Sequence, residues 1–175
     1  MIMPELIFVK AETDDIQHII QVVNTAYRGE TSKLGWTTEA DLLDGLRTDE
    51  KELLQLLADE ASIILLCKRR GKVLGSVHLQ YMGDCVEIGM FAVNPLHQGL
   101  GIGKQLLQQA ELIAVKTWSI QRLQMAVISC RYELLAFYHR RGYQYNGGTK
   151  AFPENPLLWT PKVKNLKFTL LEKRL

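Results

Sequence analysis

Apolar positions recur at changing intervals along the chain, and each change marks a switch between strand and helix. Leu6-Ile7-Phe8-Val9 reads as a first strand. Asp14, followed three residues later by Gln17, has the capping-box pattern, so a helix starts there. Ile16, Ile19, Ile20, Val23 and Tyr27 give it one apolar stripe, and it ends near Gly29. Thr38 can cap a second helix carrying Leu42, Leu43 and Leu46, with a further helical piece through Leu53 to Leu57. Ile63 to Cys67, the turn Arg69-Arg70-Gly71-Lys72 and Val73 to Tyr81 predict a hairpin, with Val73, Val77, Leu79 and Tyr81 on one face of its second strand.

Val86 to Val93 is apolar at both alternating sets of positions except for Glu87, as expected of a central strand covered on both sides, and Asn94-Pro95 ends it. A glycine-rich turn leads into a helix with Leu106, Leu107, Ala110, Ile113 and Ala114 at helical spacing, and a strand follows from Leu123 to Ile128. Ser129 can cap one more helix, with Leu134, Phe137 and Tyr138 on a face and Gly142 at its stop. A loop with Gly147-Gly148 and three prolines precedes a last strand, Leu166 to Leu171. Strands and helices interspersed in this way predict a mixed α/β class, with helices on both faces of a sheet.

Composition narrows the setting more than the chemistry. At 175 residues, 47% of them hydrophobic, the chain is long enough for one buried core and short for two, so residues 1–175 are read as a single domain. Twenty-one basic and nineteen acidic side chains announce no basic face for a nucleic acid. Cys67, Cys85 and Cys130 are odd in number and far apart, which argues against disulfides and a zinc knuckle and for small buried hydrophobes. The first residues, Met1 to Glu5, lack a basic and then apolar leader, and no run reaches the roughly 18 apolar residues of a membrane helix. A cytoplasmic protein with no membrane partner is expected; homodimerisation is left open.

The segment that carries chemistry is Gln98-Gly99-Leu100-Gly101-Ile102-Gly103-Lys104, between a strand and a helix start. Glycines there let backbone N–H groups close on an oxyanion, and the helix end adds positive potential. A Walker A loop would need a glycine five residues before Gly103-Lys104 and a hydroxyl after the lysine, where Gln98 and Gln105 stand. A dinucleotide fingerprint fits weakly, because the third glycine arrives one residue early and the strand to Ile128 ends without an acid for a ribose.

The remaining pattern, Gln-x-x-Gly-x-Gly, resembles the coenzyme A loop of the GNAT superfamily of N-acetyltransferases. Glu87 to Pro95 is similar to that family's central strand, and Phe137-Tyr138-His139-Arg140-Arg141-Gly142-Tyr143 to its later Phe-Tyr-x-x-x-Gly-Phe/Tyr segment. The resemblance is strongest from Val73 to Tyr143. It implies a mainly antiparallel sheet and acetyl-CoA as acyl donor. It also implies a pantetheine site on the main chain of Phe91, Ala92 and Val93. Phosphate contacts are implied from Gln98, Gly99, Leu100, Gly101, Ile102 and Gly103, with Lys104 adding charge. Glu87 aligns with the base of histone-type members and Tyr138 with the tyrosine that protonates the leaving thiolate.

The chemistry agrees with those assignments. An alkyl amine is almost wholly protonated at neutral pH, so a base must take its proton before it attacks a thioester. Glu87 lies in an otherwise apolar strand, where desolvation favours that role; it could equally pair with an arginine or face solvent. His78 is a reserve base acting through a water. The Phe91 N–H is the candidate donor for the carbonyl oxygen, and Tyr138 the acid unless it is a core tyrosine. Arg131, where many members carry asparagine, could reach coenzyme phosphates or an acidic substrate group, or be solvated. Tyr27, Trp36, Phe152 and Trp159 could line a pocket for a small-molecule or peptide amine. No His, Cys or carboxylate set has metal spacing, so no metal is expected, and no nucleophile is paired for a covalent intermediate. The rival readings are a non-catalytic acyl-CoA-binding module and, more distantly, a nucleotide-binding protein.

Overall fold

A computed structural model describes residues 5–175. The leaderless start read at Met1 to Glu5 therefore falls, but for Glu5, outside the described residues. In chain order the elements are β1 (Ile7–Lys10), α1 (Ile16–Tyr27), α2 (Gly29–Ser32), β2 (Leu43–Gly45), α3 (Glu50–Ala58), β3 (Ser62–Arg69), β4 (Lys72–Tyr81), β5 (Val86–Val93), α4 (Ile102–Trp118), β6 (Arg122–Ile128), α5 (Tyr132–His139), β7 (Gln144–Ala151), β8 (Trp159–Pro161) and β9 (Lys167–Arg174). Seven strands form one sheet in the order β1-β3-β4-β5-β6-β9-β7, and β2 pairs with β8 in a separate ribbon. Every neighbouring pair is antiparallel except β5 and β6. The mixed α/β class with a mainly antiparallel sheet is therefore observed.

The two sheet faces bury separate apolar layers. On one, Ile19 and Val23 of α1 and Leu53 of α3 pack on Ile64, Leu66 and Ala92. On the other, Leu106, Leu107 and Ala110 of α4 and Phe137 and Tyr138 of α5 pack on Leu65, Val77, Leu79, Ile88 and Leu123. β5 contributes to both layers, as its apolar run requires.

Two irregularities shape the centre of the sheet. Between His78↔Gly89 and Ser76↔Ala92 the pairing takes one intervening residue from β4 and two from β5, so β5 carries a bulge, and Met90 there has φ +42°. The parallel pairing of β5 with β6 extends over Val86↔Leu123 and Glu87↔Gln124 and then stops, so beyond that point the two strands splay apart.

Several local expectations are corrected. No helix starts at Thr38: its hydroxyl instead accepts the Ala40 N–H, and Leu43–Gly45 is strand β2. Gly45 sits at φ +96° with the Leu158 carbonyl oxygen pressed against the place a Cβ would take, a crossing that needs glycine. The cap ahead of α1 joins Glu12 and Asp15, whose Oδ2 accepts the Glu12 N–H at 3.0 Å, rather than Asp14 and Gln17. Ser129 accepts from the Thr169 hydroxyl instead of capping α5. Gly147 and Gly148 lie inside β7, not in a loop. Val73 packs in the α1 layer while Val77 and Leu79 face α4, because a register shift near Cys67 reverses the alternation. Cys67 and Cys85 are buried, but Cys130 is exposed. Among the described residues no helix is long and apolar enough to cross a membrane.

Candidate active site

The splay of β5 from β6 creates the site. The Asn94 N–H donates to the Leu74 carbonyl on β4 at 2.8 Å, so by strand alternation the N–H and C=O groups of Phe91 and Val93 point the other way, into the gap. Side chains satisfy both carbonyls: the Tyr27 hydroxyl donates to the Phe91 carbonyl, and Gln98 Nε2 donates to that of Val93 at 3.0 Å. The two N–H groups get no partner from β6, which pairs only as far as Glu87.

Two cavities meet there and share Phe91 and Leu134. One, of about 370 Å³, is lined by Phe91, Val93, the turn at Gln98, Gly99, Gly101 and Gly103, and by Lys104, Arg140 and Arg141, with no carboxylate in its wall. Gly99 and Gly101 have φ of +81° and +78°, and α4 begins behind Gly101 without a side-chain cap. The first N–H groups of that helix are thus left for an external acceptor. Unpaired strand donors, an uncapped helix start and three cations without a counter-charge fit the pantetheine and phosphates of a coenzyme A thioester.

The side chains at the predicted coenzyme positions do not all face this cavity, although the contacts expected there are main-chain ones. Ala92 and Ile102 are 1% exposed and belong to the two core layers, and Leu100, 59% exposed, points to solvent. Gln98 lies in the wall, and its side chain is a tether. Its Oε1 accepts the Trp36 N–H at 2.8 Å, and its Nε2 also donates to the Thr37 hydroxyl at 2.8 Å. Trp36, expected beside the amine, instead lines the coenzyme-side cavity, its ring 5.5 Å from that of Phe137.

The second cavity, of about 320 Å³, opens on the other side of Phe91 and holds Glu87, Tyr138 and Tyr27 together with Phe152 and Trp159. Glu87 is half-buried and forms no ion pair among the described residues, so the arginine-paired alternative does not hold. Tyr138 is 4% exposed, its ring 6.1 Å from that of Phe91. Burial, with Tyr27 nearby, pushes its ionisation well above the usual tyrosine range, so the hydroxyl keeps its proton. Burial likewise pushes Tyr27 up to about 12, in keeping with its role as a donor to the bulge.

His78 is not brought to either cavity. Its Nε2 lies 2.8 Å from the Ser62 hydroxyl, and burial, reinforced by the charge of Arg47, lowers its pKa to about 4. The ring is neutral at pH 7 but a weak base, so the structure lends no support to a reserve role.

A buried charge cluster that the sequence did not reveal lies in the wall of the second cavity. Glu39 receives Arg28 at 3.1 Å and Arg131 at 3.0 Å, with side-chain exposures of 10%, 3% and 8% respectively. Arg131 also donates to the Thr37 carbonyl at 2.5 Å, so it is neither solvated nor part of the coenzyme-side wall. Arg28 packs over Trp159 and Arg131 over Tyr27, at 5.9 and 5.8 Å from the ring centroids. An isolated Arg or Glu in a polar stretch carries no sequence signal of burial, and for that reason Arg28 and Glu39 do not stand out along the chain.

Comparison with known proteins agrees with this geometry. The acetyltransferase (GNAT) family model matches residues 23–143. Solved structures of similar shape include the ribosomal-protein-S18-alanine N-acetyltransferase from Escherichia coli, with a TM-score of 0.71 and 14% identity over 97% of this chain and 94% of that one. The PaiA N-acetyltransferase from Thermoplasma acidophilum, solved in complex with coenzyme A, aligns with a TM-score of 0.69 and 16% identity over 98% and 99% of the two chains. The IAA acetyltransferase from Bacillus cereus ATCC 14579 gives 0.65 and 17%, over 98% and 100%. No curated protein matches the sequence. The structural likenesses, at such identities, speak for the fold, whereas the family match spans well over half of the chain. On that ground the chain belongs to the GNAT family of acetyltransferases and is an acyltransferase.

Proposed function

We propose that the protein transfers an acetyl group from acetyl-CoA to a primary amine by direct attack in a ternary complex. The observation that carries this reading is the junction at Phe91, where unpaired strand N–H groups lie between a cationic, glycine-turned cavity and one holding Glu87 and Tyr138. Residues 1–175 act as one domain in this reading, since both cavities are built on the same sheet. A reducing cytoplasmic setting suits its three free cysteines.

Acetyl-CoA, when bound, supplies the activated thioester; the chain supplies position, a base, an oxyanion donor and an acid. Phe91 and Val93 hold the pantetheine arm through their N–H groups, and the N–H groups around Gly99, Gly101 and Gly103 receive the phosphates, with Lys104 adding charge. The Phe91 N–H meets the charge that grows on the carbonyl oxygen, where one fixed donor contributes about 3 kcal/mol in acyl transfer. Glu87 stands four residues before Phe91, on the order of 10 Å along the strand, so it takes the ammonium proton through water. Tyr138 returns a proton to the departing thiolate.

The test is calorimetric titration with acetyl-CoA, CoA and ATP, followed by thiol release across a panel of amines. Acetyl-CoA should bind, ATP should not, and thiol should appear only with an amine present. Tyr138→Phe should retain coenzyme affinity and lose about 10²-fold in kcat. Coenzyme binding with no release from any amine would make the protein an acyl-CoA-binding module, and no coenzyme binding would overturn the reading altogether.

A further inference from the structure

The charges on the acceptor-side cavity are not balanced. Arg28, Arg47, Arg131 and Lys150 face Glu39, Glu52 and Glu87 across it. Glu39 is shared by two guanidinium groups, so the Arg28–Glu39–Arg131 cluster keeps a net positive charge in a wall where its side chains are at most 10% exposed. Such a charge is weakly screened and seeks a counter-ion.

Arg47 adds to it. The residue is half-buried, and its side chain forms no ion pair or hydrogen bond among the described residues. Its backbone is held in place, the N–H donating to Asn24 Oδ1 at 2.7 Å. Arg28 Nη1 donates to the carbonyl of the preceding residue, Leu46, at 2.9 Å, and Arg47 lines the same cavity as Arg28, Glu39 and Arg131, which sets it beside the cluster. All five guanidinium donors are available to an incoming anion. None of the cavity's carboxylates is ion-paired with Arg47: Glu39 is engaged by Arg28 and Arg131, and Glu52 accepts the Thr48 hydroxyl at 2.6 Å.

We infer that the acceptor is an amine that also bears a carboxylate, a free amino acid bound with its carboxylate on Arg47 in the field of Arg28 and Arg131. The inference rests on the N-acetyltransferase reading and names its substrate class. Charge orients such a zwitterion: the arginines attract the carboxylate and repel the ammonium, which turns toward Glu87 and the Phe91 junction. The same positive wall lowers the ammonium pKa and so assists its deprotonation. The cavity volume, about 320 Å³, lies at the small end of ligand sites, which run from roughly 300 to 1,000 Å³. Phe152, packed on Trp159 and Phe168 with ring centroids 6.1 and 5.0 Å away, offers an apolar wall for a side chain.

Matched acceptors test this. Thiol release at saturating acetyl-CoA would be compared for phenylalanine, phenylalaninamide and 2-phenylethylamine, and for leucine and leucinamide. Each amino acid should exceed its counterparts that lack the carboxylate by about 10- to 100-fold in kcat/KM, the range of a charge-assisted hydrogen bond. Arg47→Gln should bring that ratio close to one. Amides or the plain amine turned over as well as the acids would overturn the inference while leaving the transferase reading intact. Silence from every amine, acid and amide alike, would strike the transferase reading and take the inference with it.

Discussion

Glu87→Gln should lower kcat for an alkyl amine by about 10²–10⁴-fold, the usual contribution of a positioned base, and leave the acetyl-CoA dissociation constant unchanged. With an ammonium pKa of about 10.4, fewer than roughly one amine molecule in 10³ is neutral at pH 7, so the base has that deficit to recover. Glu87 is suited to the task because it is half-buried, faces the acceptor-side cavity and is not tied to a cation among the described residues. Glutamine keeps the shape and removes the proton acceptor. The deficit should shrink for an amine of low basicity, which is already neutral, and this contrast separates a base from a residue that merely shapes the pocket. Equal losses for weakly and strongly basic amines would assign Glu87 to positioning, and undiminished turnover of an alkyl amine would remove it from the mechanism.

The second large effect concerns stability. Glu39→Gln leaves the Arg28 and Arg131 side chains, 3% and 8% exposed, facing each other without a counter-charge. Breaking a buried pair in this way costs about 3–5 kcal/mol. At 2–4 °C per kcal/mol for a chain of this size, the thermal midpoint followed by circular dichroism should fall by roughly 10 °C. The substitution is nearly isosteric, so the lost charge is the variable. Burial already lowers the Arg28 pKa despite the opposing pull of Glu39, which shows how closely the cluster is shielded. A midpoint that moves by only a degree or two would mean that water reaches the cluster and screens it.

Much of the fold was legible along the chain because it is encoded in contiguous patterns. The β3–β4 hairpin is two apolar runs around a Gly71 turn, and β5, the glycine turn and α4 follow one another without interruption. The misreadings share a different cause. Thr38 to Leu46 has leucines at helical intervals, but Leu43 is buried while Leu46 is 47% exposed, and pairing with β8, more than a hundred residues later, decides its conformation. Gly147 and Gly148 look like a loop in isolation but form an irregularity within β7, because Tyr145 before them and Thr149 after them both pair with β9. Alternation along β4 failed at Val73 because a register slip reverses which of the two core layers its side chain joins.

For the site, the sequence by itself determined the residues whose role depends on backbone shape: a glycine turn, a central apolar strand and a Phe-Tyr helix end are local, and their order survives in one dimension. It also contained Glu87, as a carboxylate out of keeping with its apolar strand, whereas Tyr138 was singled out only by the resemblance of its Phe-Tyr segment. Only the tertiary structure decided that the Gln98 side chain is a tether, that the Leu100 side chain is exposed while that of Ile102 is buried in the core, and that His78 stands outside both cavities. It alone joined Arg131 to Glu39 across ninety-two positions of sequence and to Arg28 beyond it. The reason is physical. Backbone conformation answers to neighbours in the chain, whereas the state of a charge answers to its distance from water and from other charges, and those distances exist only once the sheet has assembled.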